Sequence, residues 1–188
     1  MVLRSWVRGH RGSATVAALV VIALAGFAVY WFAPQKLLFN QRVDEALPVT
    51  TGVPDAPTST GPVGGQPVET PPERLVLASG GFGSLEHGTT GRAIVVELAD
   101  GRRFLRLEDL DTSNGPDLRV YLTDQPLSDD WYVWDDGEVV DLGALKGNVG
   151  SSNYEISAGL DLSRFRTAVV WCRRFEVGFG VAPIDLAS

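Results

Sequence analysis

The stretch Ala93-Ile94-Val95-Val96-Glu97-Leu98-Ala99-Asp100-Gly101-Arg102-Arg103-Phe104-Leu105-Arg106-Leu107 decides the fold. Ile94, Val96 and Leu98 alternate with Ala93, Val95 and Glu97, the period of two that sends successive side chains to opposite faces of a strand. Asp100-Gly101 supplies the tight turn, and Phe104 to Leu107 returns as the second arm of a hairpin. Working outward, further short strands are expected at 118–123, 132–134, 139–142, 154–157, 168–172 and 175–181, separated by Gly, Asn and Asp. No long helical period competes with them. Short strands with one apolar face need a second sheet to cover them, so residues 73–188 are expected to form an all-β, antiparallel β-sandwich around a single core.

The N-terminal part of the 188-residue chain reads differently. Residues 14–33 are uncharged and almost wholly apolar. As a helix they would span roughly 30 Å, the thickness of a bilayer's hydrocarbon. Arg4, Arg8 and Arg11 precede this run, whereas Lys36 and Arg42 beyond it are offset by Asp44 and Glu45. The positive-inside bias then puts residues 1–13 in the cytoplasm and the C-terminal domain outside, as a single-pass protein of the cell membrane. A cleaved signal peptide would have a shorter apolar core and small residues at its end, whereas this run closes on Tyr30-Trp31-Phe32. Residues 34–72 are expected to be a linker. Seven of the eleven prolines fall between 41 and 72 with interspersed Gly and Thr, for a reach of roughly 30 to 100 Å. Its Ser and Thr residues are open to glycosylation.

Charge narrows the function classes. From residue 73 onward 19 Asp and Glu stand against 11 Lys and Arg, a net charge of −8. That excludes a basic stripe for nucleic acid. Much of the negative charge lies in Asp124, Asp129, Asp130, Asp135, Asp136, Glu138 and Asp141, either a solvated face or a hard-cation site. The run Asp109 to Gly115 is similar to an EF-hand opening, but its Gly is one place late and no Glu stands at the twelfth position. Trp131, Tyr132 and Trp134 sit among the acidic residues. Exposed together they would make a protein or carbohydrate contact surface; buried they would be core.

Cys172 is the only cysteine, flanked by Trp171 and by the pair Arg173 and Arg174. It cannot close a disulfide within its own chain, so it is a buried hydrophobe, an intermolecular link or a reactive thiol. Strand alternation would put Arg174 on the thiol's side, where its charge, or that of Arg173, would favour a thiolate if the sulfur is exposed. Burial would act oppositely. A haem held by Met and His is not expected, because the only Met is Met1 and His87 is the only His beyond the leader. His87 is therefore the sole His available as a metal ligand or proton carrier in the domain, and one His with one Cys falls short of a usual zinc or copper set. No cofactor is expected. A hydrolase pairing Cys172 with His87 would require the two to meet in space.

The remaining landmarks are Gly80-Gly81-Phe82, His87, Gly91, the run Asn114-Gly115-Pro116-Asp117-Leu118-Arg119-Val120-Tyr121-Leu122, the run Leu142-Gly143-Ala144-Leu145-Lys146-Gly147, Tyr154, and Val169-Val170-Trp171-Cys172-Arg173-Arg174-Phe175 with Phe179-Gly180. In this order they resemble the DM-thirteen domain over nearly all of residues 73–185. The resemblance implies a sandwich with a DOMON-like or Ig-like outline, often found outside the cell, and a redox or electron-transfer role centred on Cys172. Read structurally, Gly115-Pro116 is a turn that Asp117 would cap, Tyr121 and Tyr154 are half-buried sheet residues, and Lys146 is a solvated turn charge. Two functions stay open: a membrane-tethered redox module with a redox or envelope protein partner, or a non-catalytic binding or scaffolding module of the cell envelope. No classical enzyme is expected, and thiol redox chemistry is the activity open to the chain.

Overall fold

The structure, a computed structural model, describes residues 11–32, 39–48 and 74–184. Helix α1 (Arg11–Phe32) is followed by ten strands: β1 (Arg42–Asp44), β2 (Arg74–Gly81), β3 (Gly83–Ser84), β4 (Thr90–Leu98), β5 (Arg103–Asp111), β6 (Leu118–Thr123), β7 (Val139–Ala144), β8 (Val149–Ile156), β9 (Thr167–Cys172) and β10 (Val177–Pro183). They form two five-stranded sheets, in the orders β1-β8-β5-β4-β2 and β3-β10-β9-β6-β7. All pairings are antiparallel except β1 with β8. The expected hairpin is present, with Gly101 at φ 81° closing the turn between β4 and β5.

The two sheets face each other across one main core. Ala93 and Val95 of β4, Leu105 and Leu107 of β5, Tyr154 and Ile156 of β8, Val120 and Leu122 of β6, and Ala168, Val170 and Cys172 of β9 are all buried in it. The alternate residues face outward and are covered separately. Val96, Leu98 and Phe104 form a small cluster on one sheet. Tyr121, Val169, Trp171 and Val181 form one on the other, closed by Trp134. Covering the outer face of the second sheet buries apolar area that would otherwise meet water, at about 25 cal/mol per Å².

Three expectations are corrected. Residues 132–134 are not a strand: Val133–Asp135 is a short 3-10 turn, which sends Trp134 inward while Trp131 and Tyr132 stay exposed. The last strand begins at Val177 rather than at Phe175, because residues 173–176 turn, with Glu176 at φ 52°. The proline-rich segment is also not a uniform spacer. Residues 39–48 lie along the domain, with β1 in register on β8 from Arg42 opposite Val149 to Asp44 opposite Ser151.

Side chains reinforce that clip. The Gln41 N–H donates to Asn148 Oδ1 at 2.7 Å, and Lys146 Nζ donates to Glu45 Oε1 at 2.8 Å and to the Asn153 carbonyl at 2.7 Å. Lys146, expected as a solvated charge, is thus an anchor. Burial pulls the Glu45 carboxyl upward, but hydrogen bonds from Lys146 and the Asn153 N–H, with the Lys146 charge, outweigh it and hold the group below its ordinary value. Gly150, at φ 104°, has no room for a side chain: a Cβ would lie 2.3 Å from the Val43 carbonyl oxygen. The edge of β8 is therefore shaped to receive β1.

Helix α1 is exposed along Thr15–Trp31, the part whose side chains are described. Among the described residues no helix is long and apolar enough to cross a membrane.

Candidate functional site

An aromatic groove of about 440 Å³ opens at one end of the sandwich. Val177 and Phe179 of β10 form its base, and its sides come from Glu86 and His87, Asn114-Gly115-Pro116, Trp131 and Tyr132, and Phe175. Four separate loops or turns converge there.

Local chemistry explains how each is placed. The Asn114 side chain accepts from the Gly115 N–H at 2.9 Å and donates to the Phe39 carbonyl at 3.0 Å, so it is Asn114, not Asp117, that caps this turn. Asp117 instead accepts from Arg173 Nε at 2.9 Å, and its carbonyl accepts from the Arg173 N–H. On the other side, Trp134 is wholly buried and donates its indole N–H to the Asp130 carbonyl at 2.8 Å. Asp130 Oδ1 accepts from the Tyr132 N–H, and the Trp131 carbonyl accepts from the Gly178 N–H. Trp134 is thus the plug that holds Trp131 and Tyr132 at the surface. Gly178 is required beneath them, since a Cβ there would lie 2.5 Å from the Leu85 side chain and 2.9 Å from the Trp134 ring.

His87 sits edge-on to Phe179, with ring centroids 4.1 Å apart, and its Nε2 lies 2.5 Å from the Glu86 carboxylate. The segment that carries it is tied down by the Leu85 and Glu86 N–H groups, which donate to the Phe179 and Gly178 carbonyls. The buried Thr89 hydroxyl donates to the Phe179 carbonyl and shares a 2.7 Å hydrogen bond with Thr112.

Cys172 lies behind this groove, not in it. It is fully buried in the main core with Val177 and Phe179, at the end of β9, opposite Leu118 of β6 and Val177 of β10. The strand ends at Cys172, so alternation no longer governs Arg174. That side chain instead donates to the Tyr30 and Trp31 carbonyls and lies over the Trp31 ring at 5.0 Å. Both guanidiniums expected to tune the thiol are engaged elsewhere, Arg173 with Asp117 and Arg174 with the helix end. No hydrogen bond joins Cys172 to His87 among the described residues.

The other singled-out residues are structural. Tyr121 is buried against Trp171, with ring centroids 6.3 Å apart, and burial, then the nearby Asp141, raises its hydroxyl pKa. Tyr154 accepts from the Lys146 N–H at 2.9 Å, and burial pushes its pKa up as well. Among the described residues no group of three or more His, Cys, Asp or Glu side chains is placed to hold a metal ion. The groove itself was only half legible in the sequence. Trp131, Tyr132 and Trp134 were readable as one candidate surface whose exposure was open, and Trp134 proves buried, whereas Phe175, Phe179, Glu86 and Asn114 carried no signal of convergence.

This arrangement defines a two-sheet β domain with an open aromatic groove and a lone thiol buried behind it. The model of the family described as Electron transfer DM13 matches residues 81–184, and the chain belongs to that family. Its span starts at the end of β2 and includes every groove residue. The clip at residues 39–48 lies outside it. No curated protein and no solved structure matches the chain.

Proposed function

We propose that this domain is a membrane-tethered, extracytoplasmic module that serves electron transfer by binding, with the aromatic groove as its working surface. The observation that carries this reading is the contrast between Cys172, which is fully buried, and Trp131 and Tyr132, which are 41% and 62% exposed beside it. A thiol enclosed by apolar side chains has neither the access nor the electropositive surroundings of a reactive cysteine. Exposed aromatic faces flanked by Glu86, His87 and Asn114 suit a ring-bearing ligand, which stacks on the rings and is oriented by the polar groups. The tether is supported by the uncharged, apolar run of residues 14–33 with arginines before it, and by the exposure of Thr15–Trp31 of α1 along its length.

A second reading, thiol exchange at Cys172, has one observation in its favour. Val177, its cross-strand neighbour, lines the groove, so local opening of the 173–176 turn would bring the sulfur to the surface.

Calorimetric titration of the full chain with a water-soluble quinone and with a short oligosaccharide tests the first reading. Binding of either probe should weaken at least about tenfold in Trp131→Ala or Tyr132→Ala, as expected of aromatic hot spots, and stay unchanged in Cys172→Ala. Rapid alkylation of Cys172 in the folded protein, with neither aromatic substitution affecting binding, would overturn it in favour of thiol exchange.

A further inference from the structure

The clip at β1 has a consequence for where the groove points. Six residues, 33–38, separate the last residue of α1 from Phe39. Even fully extended they reach roughly 25 Å. Phe39 is itself held at the groove end of the sandwich, because its carbonyl accepts from Asn114, which lines the groove. The helix end meets the same region independently: Arg174, in the turn that also carries Phe175, donates to the Trp31 carbonyl. The long proline-rich stretch does not relieve this constraint, since it follows the clip rather than preceding it. The domain is thus leashed close to the helix terminus, groove end first.

That end is also where large apolar side chains stand in solvent. Phe39 is 71% exposed, with Tyr132 and Trp131 nearby in the groove wall. Trp and Tyr are the residues that settle at the boundary between headgroups and acyl chains, their rings in the apolar layer and their polar tips in water. The charged groups on the segments at this end are of both signs: Glu86, Asp129, Asp130 and Glu176, with Arg173, paired to Asp117, and Arg174, which lies over the Trp31 ring. With both guanidiniums already engaged within the protein, contact with the bilayer would rest on apolar insertion of the rings.

We propose that Trp131, Tyr132 and Phe39 dock the groove end of the domain edge-on onto the lipid surface of the bilayer that holds α1, so that the groove opens at the membrane interface. This inference rests on the tether reading above. It assigns a lipid surface as the occupant of the aromatic rim, and it places ligands that partition into the interface within reach of the groove.

The test is tryptophan fluorescence of the full chain in phosphatidylcholine nanodiscs, with plain or brominated acyl chains, comparing wild type, Trp31→Phe and Trp131→Phe. Bromine quenches only rings that reach the acyl region. The expected result is that each substitution removes its own share of the quenching, with the Trp131 share unchanged from low to high salt. Quenching lost with Trp31→Phe but not with Trp131→Phe would overturn docking and leave the tether standing. Absence of any quenching would overturn both. Retained blue-shifted emission from the buried Trp134 and Trp171 verifies that Trp131→Phe is folded.

Discussion

Cys172 and the groove lie within one strand pairing of each other, yet their environments are opposite. The cysteine, chemically the most distinctive side chain in the sequence, is sealed among Val170, Val177 and Phe179, whereas Trp131 and Tyr132 stand open to solvent in an acidic loop. Rarity in a sequence marks a residue for attention, but exposure decides whether its chemistry is available. A buried thiol behaves as a small hydrophobe. An exposed aromatic pair with polar neighbours is a surface that can bind.

The largest effect that would sharpen this contrast is expected from Trp134, which carries the loop without touching the groove. Trp134→Ala should cost about 3–5 kcal/mol of stability, read by urea denaturation, and should lower groove binding as well, because the cavity releases Trp131 and Tyr132. Next comes the thiol. Cys172→Ser places a hydroxyl in the core and should cost about 1–3 kcal/mol, while Cys172→Ala should be milder. Native Cys172 should resist alkylation until denaturant unfolds the domain, and ready labelling without unfolding would break the contrast outright.

The clip should respond more weakly. Glu45→Gln or Lys146→Ala removes a partly exposed pair worth no more than about 1 kcal/mol, but it should raise amide exchange at Glu45, whose N–H donates to the Ser151 carbonyl. Because the Glu45 pKa is lowered on folding, its contribution is fully present above the ordinary carboxylate value. It fades as pH falls through the lowered one. Protection at Glu45 should therefore fall in acid earlier than protection in β5, and equal loss in both would contradict a locally held clip. The smallest stability change is expected from Tyr132→Ala, within about 0.5 kcal/mol, since the ring is exposed; its effect should appear in binding alone.

Local patterns carried far in this chain. The alternation at residues 93–98 with Asp100-Gly101 placed a hairpin correctly, and β6 at Leu118–Thr123 matches its expected span to the residue. These signals are strong because turn chemistry and period-two burial are both properties of neighbouring residues. The errors came where distant residues decide. Residues 132–134 are rich in residues that favour strands, but an outer cavity on the second sheet captured Trp134 and bent the segment into a turn. Residues 39–48 read as spacer because a three-residue parallel strand has no pattern of its own, and its partner, β8, lies a hundred residues away. The role expected for Arg174 failed because the strand stops at Cys172, a limit set by the turn into β10.

By itself the sequence determined the class of the domain, its acidic character, its family landmarks and the apolar N-terminal run, all of which follow from composition and short-range spacing. Only the tertiary structure decided that Cys172 is buried, that four loops converge on one groove, and that the chain after the helix is clipped to the domain. Burial and convergence depend on which strands become neighbours, and strand pairing is settled by the packing of the whole core rather than by any one segment.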